Sequence, residues 1–187
     1  MKRNIVILVL GSCCLFNSCY ELDLNPLSQG SSENWYSSET EIEMALKDGY
    51  RQDFWPKDKE EWTDDYVYRE TNSAIVNGTL NGQTDEVTKM WSNQYKAIAR
   101  ANTVLANMEK AQSLGISQSK IDQYTAEAYF LRASMYSTLI SHFGDVVYVT
   151  EVMDVDQAFE VGRTAKAEII PKVYEDFDKA AAGLPLV

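Results

Sequence analysis

The sequence predicts an all-α domain of antiparallel helix pairs, tetratricopeptide-like in scale, with one long irregular segment. Three observations predict it. Trp91, Tyr95, Ile98, Asn102, Leu105 and Met108 step by 4, 3, 4, 3 and 3 residues, the spacing of a single helix face. Ile121, Tyr124, Ala128, Leu131, Met135, Leu139 and Phe143 repeat that spacing after a connection short enough for an antiparallel neighbour. Ile170, Val173, Phe177 and Ala181 then mark a last helix over roughly 164–182. The Trp/Gly/Tyr signature of the tetratricopeptide repeat is not met at matching offsets, so the comparison concerns pairing and scale.

Composition narrows the function classes. The chain has 187 residues, 45% hydrophobic and 24% charged, enough for one domain with a core. Its 17 basic residues face 28 acidic ones, a net charge of -11 that repels phosphate backbones, so nucleic acid is not an expected partner. A single histidine argues against His-based zinc sites and triad chemistry. No cofactor or metal is expected.

Lys2-Arg3 followed by the apolar run from Ile5 to Phe16 has the layout of an export signal, and the run is shorter than a spanning helix needs. Ser18-Cys19 directly after it resembles a bacterial lipoprotein cleavage site. All three cysteines, Cys13, Cys14 and Cys19, lie here. Cleavage would remove two, and acylation of Cys19 would leave no free thiol in an oxidising compartment. The expected organisation is a signal peptide over 1–18, an extended tether over 19–34 and a helical domain over 35–187. Attachment to the membrane would come from lipid alone, since an acidic body gains nothing from an anionic surface.

Within the domain, Ser38-Glu39-Thr40-Glu41 has capping-box spacing. Ile42, Leu46, Gly49, Tyr50 and Phe54 recur after it, so a helix is expected to about Trp55, stopped by Pro56. Residues 56–89 lack a sustained period and hold two Asn-Gly turns, at Asn77-Gly78 and Asn81-Gly82. The helical signal resumes at Met90 and breaks at Gly115. Asn102 is the polar member of its stripe and needs partners from a neighbouring backbone. Ala126 and Ala133 lie off the second stripe and permit close approach by another helix. Gly144-Asp145 ends that helix, and Val146 to Thr150 reads as a short extended stretch. Pro171 requires the last helix either to begin near Ile170 or to carry the proline inside.

The irregular segment carries the candidate binding residues: Trp55, Trp62, Tyr66, Tyr68, Arg69 and Asn72, with Asp64 and Asp65 among them. Flat aromatic faces desolvate the apolar side of a sugar ring, while Asn, Asp and Arg hydrogen-bond its hydroxyls. The alternative is that Trp62 and Tyr66, four apart, form the buried face of a small helix. Glu60-Glu61 and Asp64-Asp65 are a poor match for a glycosidase pair, which needs carboxylates across a cleft. Asp154-x-Asp156 lacks the spaced ligands of a calcium loop. His142 fits helix capping or packing, and Asn77-Gly78-Thr79 matches a glycosylation acceptor, a match that usually means nothing in the bacterial setting to which the lipoprotein-like leader points. Glu127 and Arg132, five apart, should reach different neighbouring helices, and Trp91 and Tyr95 read as core.

Trp91-x-x-x-Tyr95-x-x-Ile98-x-x-x-Asn102, then Ala126 to Ala133, then Phe143-Gly144-Asp145-Val146-Val147, resembles in order and spacing the SusD/RagB family of Bacteroidetes lipoproteins. Cys19 followed by Glu21-Leu22-Asp23-Leu24-Asn25-Pro26, and the acidic final helix closed by Gly183-Leu184-Pro185, are similar to it too. The resemblance implies a surface-exposed, outer-membrane, lipid-anchored protein of polysaccharide utilisation. It would capture oligosaccharide beside a SusC-like TonB-dependent transporter, with no catalysis, and the early loop would supply part of the sugar platform. Members are more than twice this long, so the chain is expected to be an N-terminal portion. The alternatives are a helical-repeat envelope lipoprotein that only scaffolds other proteins and, behind it, an enzyme of glycan metabolism.

Overall fold

The computed structural model describes residues 35–55, 62, 63, 65, 69 and 74–185. The leader, Cys19 and the tether lie outside the described residues, as do Glu60, Glu61, Asp64, Tyr66, Tyr68 and Asn72. The architecture below belongs to the unit Tyr36–Val187. Among the described residues it is all-α, as the periodicities predict.

Helix α1 (Glu39–Asp48) is capped at Ser38, whose hydroxyl accepts the Glu41 N–H at 3.4 Å. The Glu41 carboxylate returns its bond one residue earlier than expected, accepting from the Ser37 N–H at 2.7 Å and the Ser37 hydroxyl at 2.9 Å. The helix also stops earlier than Trp55. Gly49 closes it, with its N–H on the Leu46 carbonyl, while the Trp55 indole N–H takes the Gly49 carbonyl at 3.2 Å. That carbonyl is therefore engaged outside the helical ladder, and the chain turns into a short 3₁₀ segment at Gln52–Phe54.

Helix α2 (Asp85–Ala106) begins a turn and a half before Met90, and α3 (Met108–Ser113) continues it to Gly115. Helix α4 (Gln118–Phe143) runs antiparallel to α2, since Trp91 meets Phe143 and Asn102 meets Arg132. Its stripe is buried as predicted from Ile121 to Leu139, but Ala126, Arg132, Ala133, Tyr136 and Ile140 are buried as well. A helix enclosed on nearly every side is the centre of its bundle. Gly144 ends it at φ 70°, a conformation that suits glycine.

Helix α5 (Val155–Glu160) opens on a complete capping box between Asp154 and Gln157. Helix α6 (Lys166–Gly183) packs antiparallel on the other side of α4 and contains Pro171. Its buried row is Ile169, Val173, Asp176 and Ala180, rotated from the predicted one, with Ala181 exposed. The rotation is forced by Arg132, which draws Asp176 inward, and by Gly183. A Cβ on Gly183 would lie 2.7 Å from the Ala126 Cβ, so Ala126 supplies the close approach expected of it.

The core joins Phe54, Ile98, Met135, Tyr136, Leu139, Val146, Ile169 and Val173 across α2, α4, α6 and the two connecting segments. The stretch 146–151 is the least conventional element. Only Val146 pairs with backbone, in an isolated bridge to Thr164. Helix side chains bind several of the remaining backbone groups. Tyr95 donates to the Val147 carbonyl at 2.8 Å, and Tyr136 both donates to the Val149 carbonyl and accepts its N–H. Asn102 donates to the carbonyls of Val149 and Glu151, and Arg132 to that of Thr150. Asn102 thus finds the backbone partners its place in the stripe demands. No helix among the described residues is long and apolar enough to cross a membrane.

Candidate functional site: an aromatic cavity where α2 begins and α4 ends

Several hollows open on the described surface, two of them about 400 Å³ in volume. The first, about 390 Å³, is lined by Gly82, Val87, Thr88, Trp91, Phe143 and Arg163. Val87, Thr88 and Trp91 share one face of the opening turns of α2, and Phe143 is the last residue of α4. Trp91 meets Phe143 edge-on, with centroids 5.1 Å apart at 88°, and leans on Tyr95 at 5.0 Å. Such contacts fix the indole while leaving part of it open to the hollow. Arg163 stands one residue before the Thr164 bridge. Its guanidinium lies 5.5 Å from the Trp91 ring centroid and donates to the Asp145 carbonyl at 3.1 Å. Asp145 holds the rim from the other side, its carboxylate accepting the Lys166 N–H at 2.8 Å where α6 starts.

The floor is apolar and rigid, and one guanidinium and one hydroxyl edge it. Burial of Tyr95 beneath it pushes that phenol up to about 12, outweighing the Arg163 charge, which lowers it. The phenol therefore remains a donor to Val147 throughout the neutral range. This arrangement can stack a ring with an apolar face and hydrogen-bond its substituents.

The second hollow, about 400 Å³, lies along the strap between Tyr148 and Met153 and is closed by Gln157, Glu160 and Val161. Its aromatic residue is already covered. Tyr136 sits 4.7 Å from the Tyr148 ring and the Lys172 ammonium 4.8 Å from it. Gln157 is committed to the α5 cap.

The sequence candidates fall differently. Trp55 is half-buried, stacked on Tyr50 and Phe130 at 6.1 Å each, with its N–H on Gly49, so it packs the scaffold. Trp62 is half-buried and Arg69 exposed; Tyr66, Tyr68 and Asn72 are outside the described residues. Trp91 reads as core in the sequence but is half-buried at the mouth of the cavity, because it heads its helix where α4 runs out. Arg163 carries one legible signal: it is the sole basic residue between His142 and Lys166. Of the remaining candidates, His142 bonds the Thr138 carbonyl within its own helix at 2.9 Å, and Asp154 caps α5. No group of three or more metal-binding side chains occurs among the described residues. Arg132 reaches Asp176 on α6 and Asn102 on α2, while Glu127 bonds Tyr50 on the other side.

An all-α bundle of antiparallel helices, strapped by a side-chain-bound extended stretch and bearing a fixed aromatic hollow, defines a helical scaffold of the SusD type. The chain belongs to the SusD-like family: the family model described as "Starch-binding associating with outer membrane" matches residues 24–187. It is 23% identical to SusD-like protein P2 of Formosa agariphila over 181 residues, 89% of this chain and 35% of that one. A SusD-like carbohydrate-binding protein of Bacteroides fragilis superposes with a TM-score of 0.65 at 27% identity, over 80% of this chain and 32% of that one. A laminarin-binding SusD-like protein superposes with a TM-score of 0.55 at 28% identity, over 60% of this chain and 23% of that one. The chain spans about a third of the length of the curated relative P2.

Proposed function

We propose that this chain is the helical, glycan-capturing portion of a lipid-anchored surface protein that holds oligosaccharide for import through a TonB-dependent outer-membrane transporter. The observation that carries the reading is the Trp91 cavity, an apolar ring-sized floor edged by hydrogen-bonding groups, in a chain whose solved relatives include carbohydrate binders. Stacking an aromatic face on a pyranose ring removes apolar surface from water, and the edging groups fix orientation. Trp62, Tyr66, Tyr68, Arg69 and Asn72 remain candidate sugar-binding residues of the early segment in this reading, while Trp55 serves packing. Cys19 carries the lipid anchor, which places the protein on the cell surface, and the helical faces away from the cavity meet the transporter. The protein binds and hands over without catalysis.

Calorimetric titration with an oligosaccharide panel that includes laminarin oligomers tests this. Saturable binding that weakens at least several-fold in Trp91→Phe, which keeps a ring against Phe143 but shrinks the platform, is the expected result. Absence of saturable binding to any glycan would sink the reading. A second reading, a scaffold for other envelope proteins, is favoured by one observation: Phe159 and Val155 on α5 are 86% and 71% exposed. Apolar side chains so displayed on a capped helix suit a protein contact.

A further inference from the structure

The floor of the Trp91 cavity is neutral, but its edge is not. Among the described residues, Arg163 makes no ion pair, whereas Arg51, Arg100 and Arg132 each hold a carboxylate. A guanidinium without a carboxylate partner among the described residues is notable in a chain with an excess of acidic residues. Two carboxylates at the ends of the elements that line the cavity are already engaged. Asp145 accepts the Lys166 N–H, and Asp85 at the head of α2 holds Lys89 at 2.8 Å. The Asp145 carbonyl takes one guanidinium N–H, and the Trp91 ring lies under the cation and restrains its orientation. A guanidinium carries five donors in a planar fork, so donors remain for a ligand at the cavity mouth.

We propose that the Trp91 cavity selects saccharides bearing an anionic group, a carboxylate or a sulfate, and that Arg163 is the residue that sets this preference. This rests on the glycan-capture reading above and names the substrate class of the same site. The sugar's apolar face lies on Trp91 and Phe143, and its anionic substituent meets the guanidinium fork in a bidentate, charge-assisted pair. The protein's overall negative charge is largely screened beyond the Debye length of about 8 Å at physiological salt, so the charges local to the cavity govern once the sugar is seated.

The test compares four probes on the full chain by calorimetry: a galacturonate oligomer, the same oligomer as its methyl ester, a sulfated galactan oligomer and a laminarin oligomer. At least one anionic probe is expected to bind about tenfold more tightly than the uncharged ones, the scale of one partly exposed charge-assisted contact. Arg163→Gln should erase that difference, bringing the anionic probes to the affinity that the same variant shows for the uncharged ones, and Arg163→Lys should restore part of it. If Arg163→Gln fails to fold by circular dichroism, the acid-against-ester comparison on the unaltered chain decides alone. Equal or tighter binding of the methyl ester and laminarin oligomers would overturn the preference while leaving glycan capture standing. A preference that survives Arg163→Gln would overturn the assignment to Arg163. No binding of any probe would remove the glycan reading and this inference together.

Discussion

Replacing Asp176 by alanine should be among the most damaging single changes in this domain. Arg132 and Asp176 form a bidentate pair at 2.7 and 3.0 Å, with side chains only 6% and 4% exposed. Burial pulls the arginine's proton affinity down, but the Asp176 carboxylate more than offsets it, so the guanidinium stays charged. Asp176→Ala would leave that cation in the core with the Asn102 side-chain oxygen at 3.0 Å, the Thr150 carbonyl at 3.2 Å and the Tyr129 ring 5.2 Å away, and no carboxylate. Breaking a buried pair from one side costs about 3–5 kcal/mol. A domain holds only about 5–15 kcal/mol in total. With a urea dependence of about 2 kcal/mol per molar, the unfolding midpoint should fall by about 2 M. Urea titration followed by far-UV circular dichroism measures this. The companion double variant Arg132→Met with Asp176→Leu removes both charges and should recover most of the loss. A midpoint shift below about 0.5 M in Asp176→Ala, or a double variant no better than the single, would refute the argument that an uncompensated cation is the cost.

Further outcomes follow from other contacts. Tyr136→Phe deletes a hydroxyl that serves both the N–H and the carbonyl of Val149, and should cost about 1–3 kcal/mol by the same titration. Amide exchange should then accelerate at Val149 more than within α4. Gly183→Ala should destabilise by about 1–3 kcal/mol despite alanine's better helix propensity, because the new methyl meets Ala126 across the α4–α6 contact. Alkaline titration should show a cooperative loss of structure. Burial raises Tyr95 from 10.0 to about 12 and pushes Tyr136 up as well. Their contribution is present below pH 10, where both folded and unfolded phenols are protonated, and is lost as pH rises through the folded value. Phenolate absorbance and circular dichroism should therefore change together above pH 10; ionisation of all tyrosines before any loss of helix would contradict it.

Helix identity was legible because period 3.6 survives wherever one side of a helix meets a partner. The stripes on α2 and α4 locate both helices and their antiparallel pairing. Boundaries were less so. The end of α1 depends on the Trp55 indole taking the Gly49 carbonyl, a contact between residues six apart that no propensity encodes. The buried row of α6 turned because Asp176, a residue that composition assigns to solvent, is drawn inward by an arginine 44 positions earlier. The candidate cavity was not located by the sequence. Aromatics with Arg and Asn in an irregular segment predict sugar chemistry, but Trp91 carries the same spacing as Ile98 and differs only in lying where its neighbour helix ends. Trp55, by contrast, belongs to the segment yet is spent on packing. Sequence spacing reports the face a residue shares and is silent on whether a partner helix extends that far.

The enclosure of α4 has a consequence for how this domain tolerates variation. A helix contacted from one side accumulates neutral changes on its outer positions and keeps a striped record of what it touches. Helix α4 has few outer positions between Ile121 and Ile140, so saturation mutagenesis should return near-uniform intolerance along it and a banded pattern along α6. The least permissive stretch of the chain would then be the one whose own pattern says least about its surroundings.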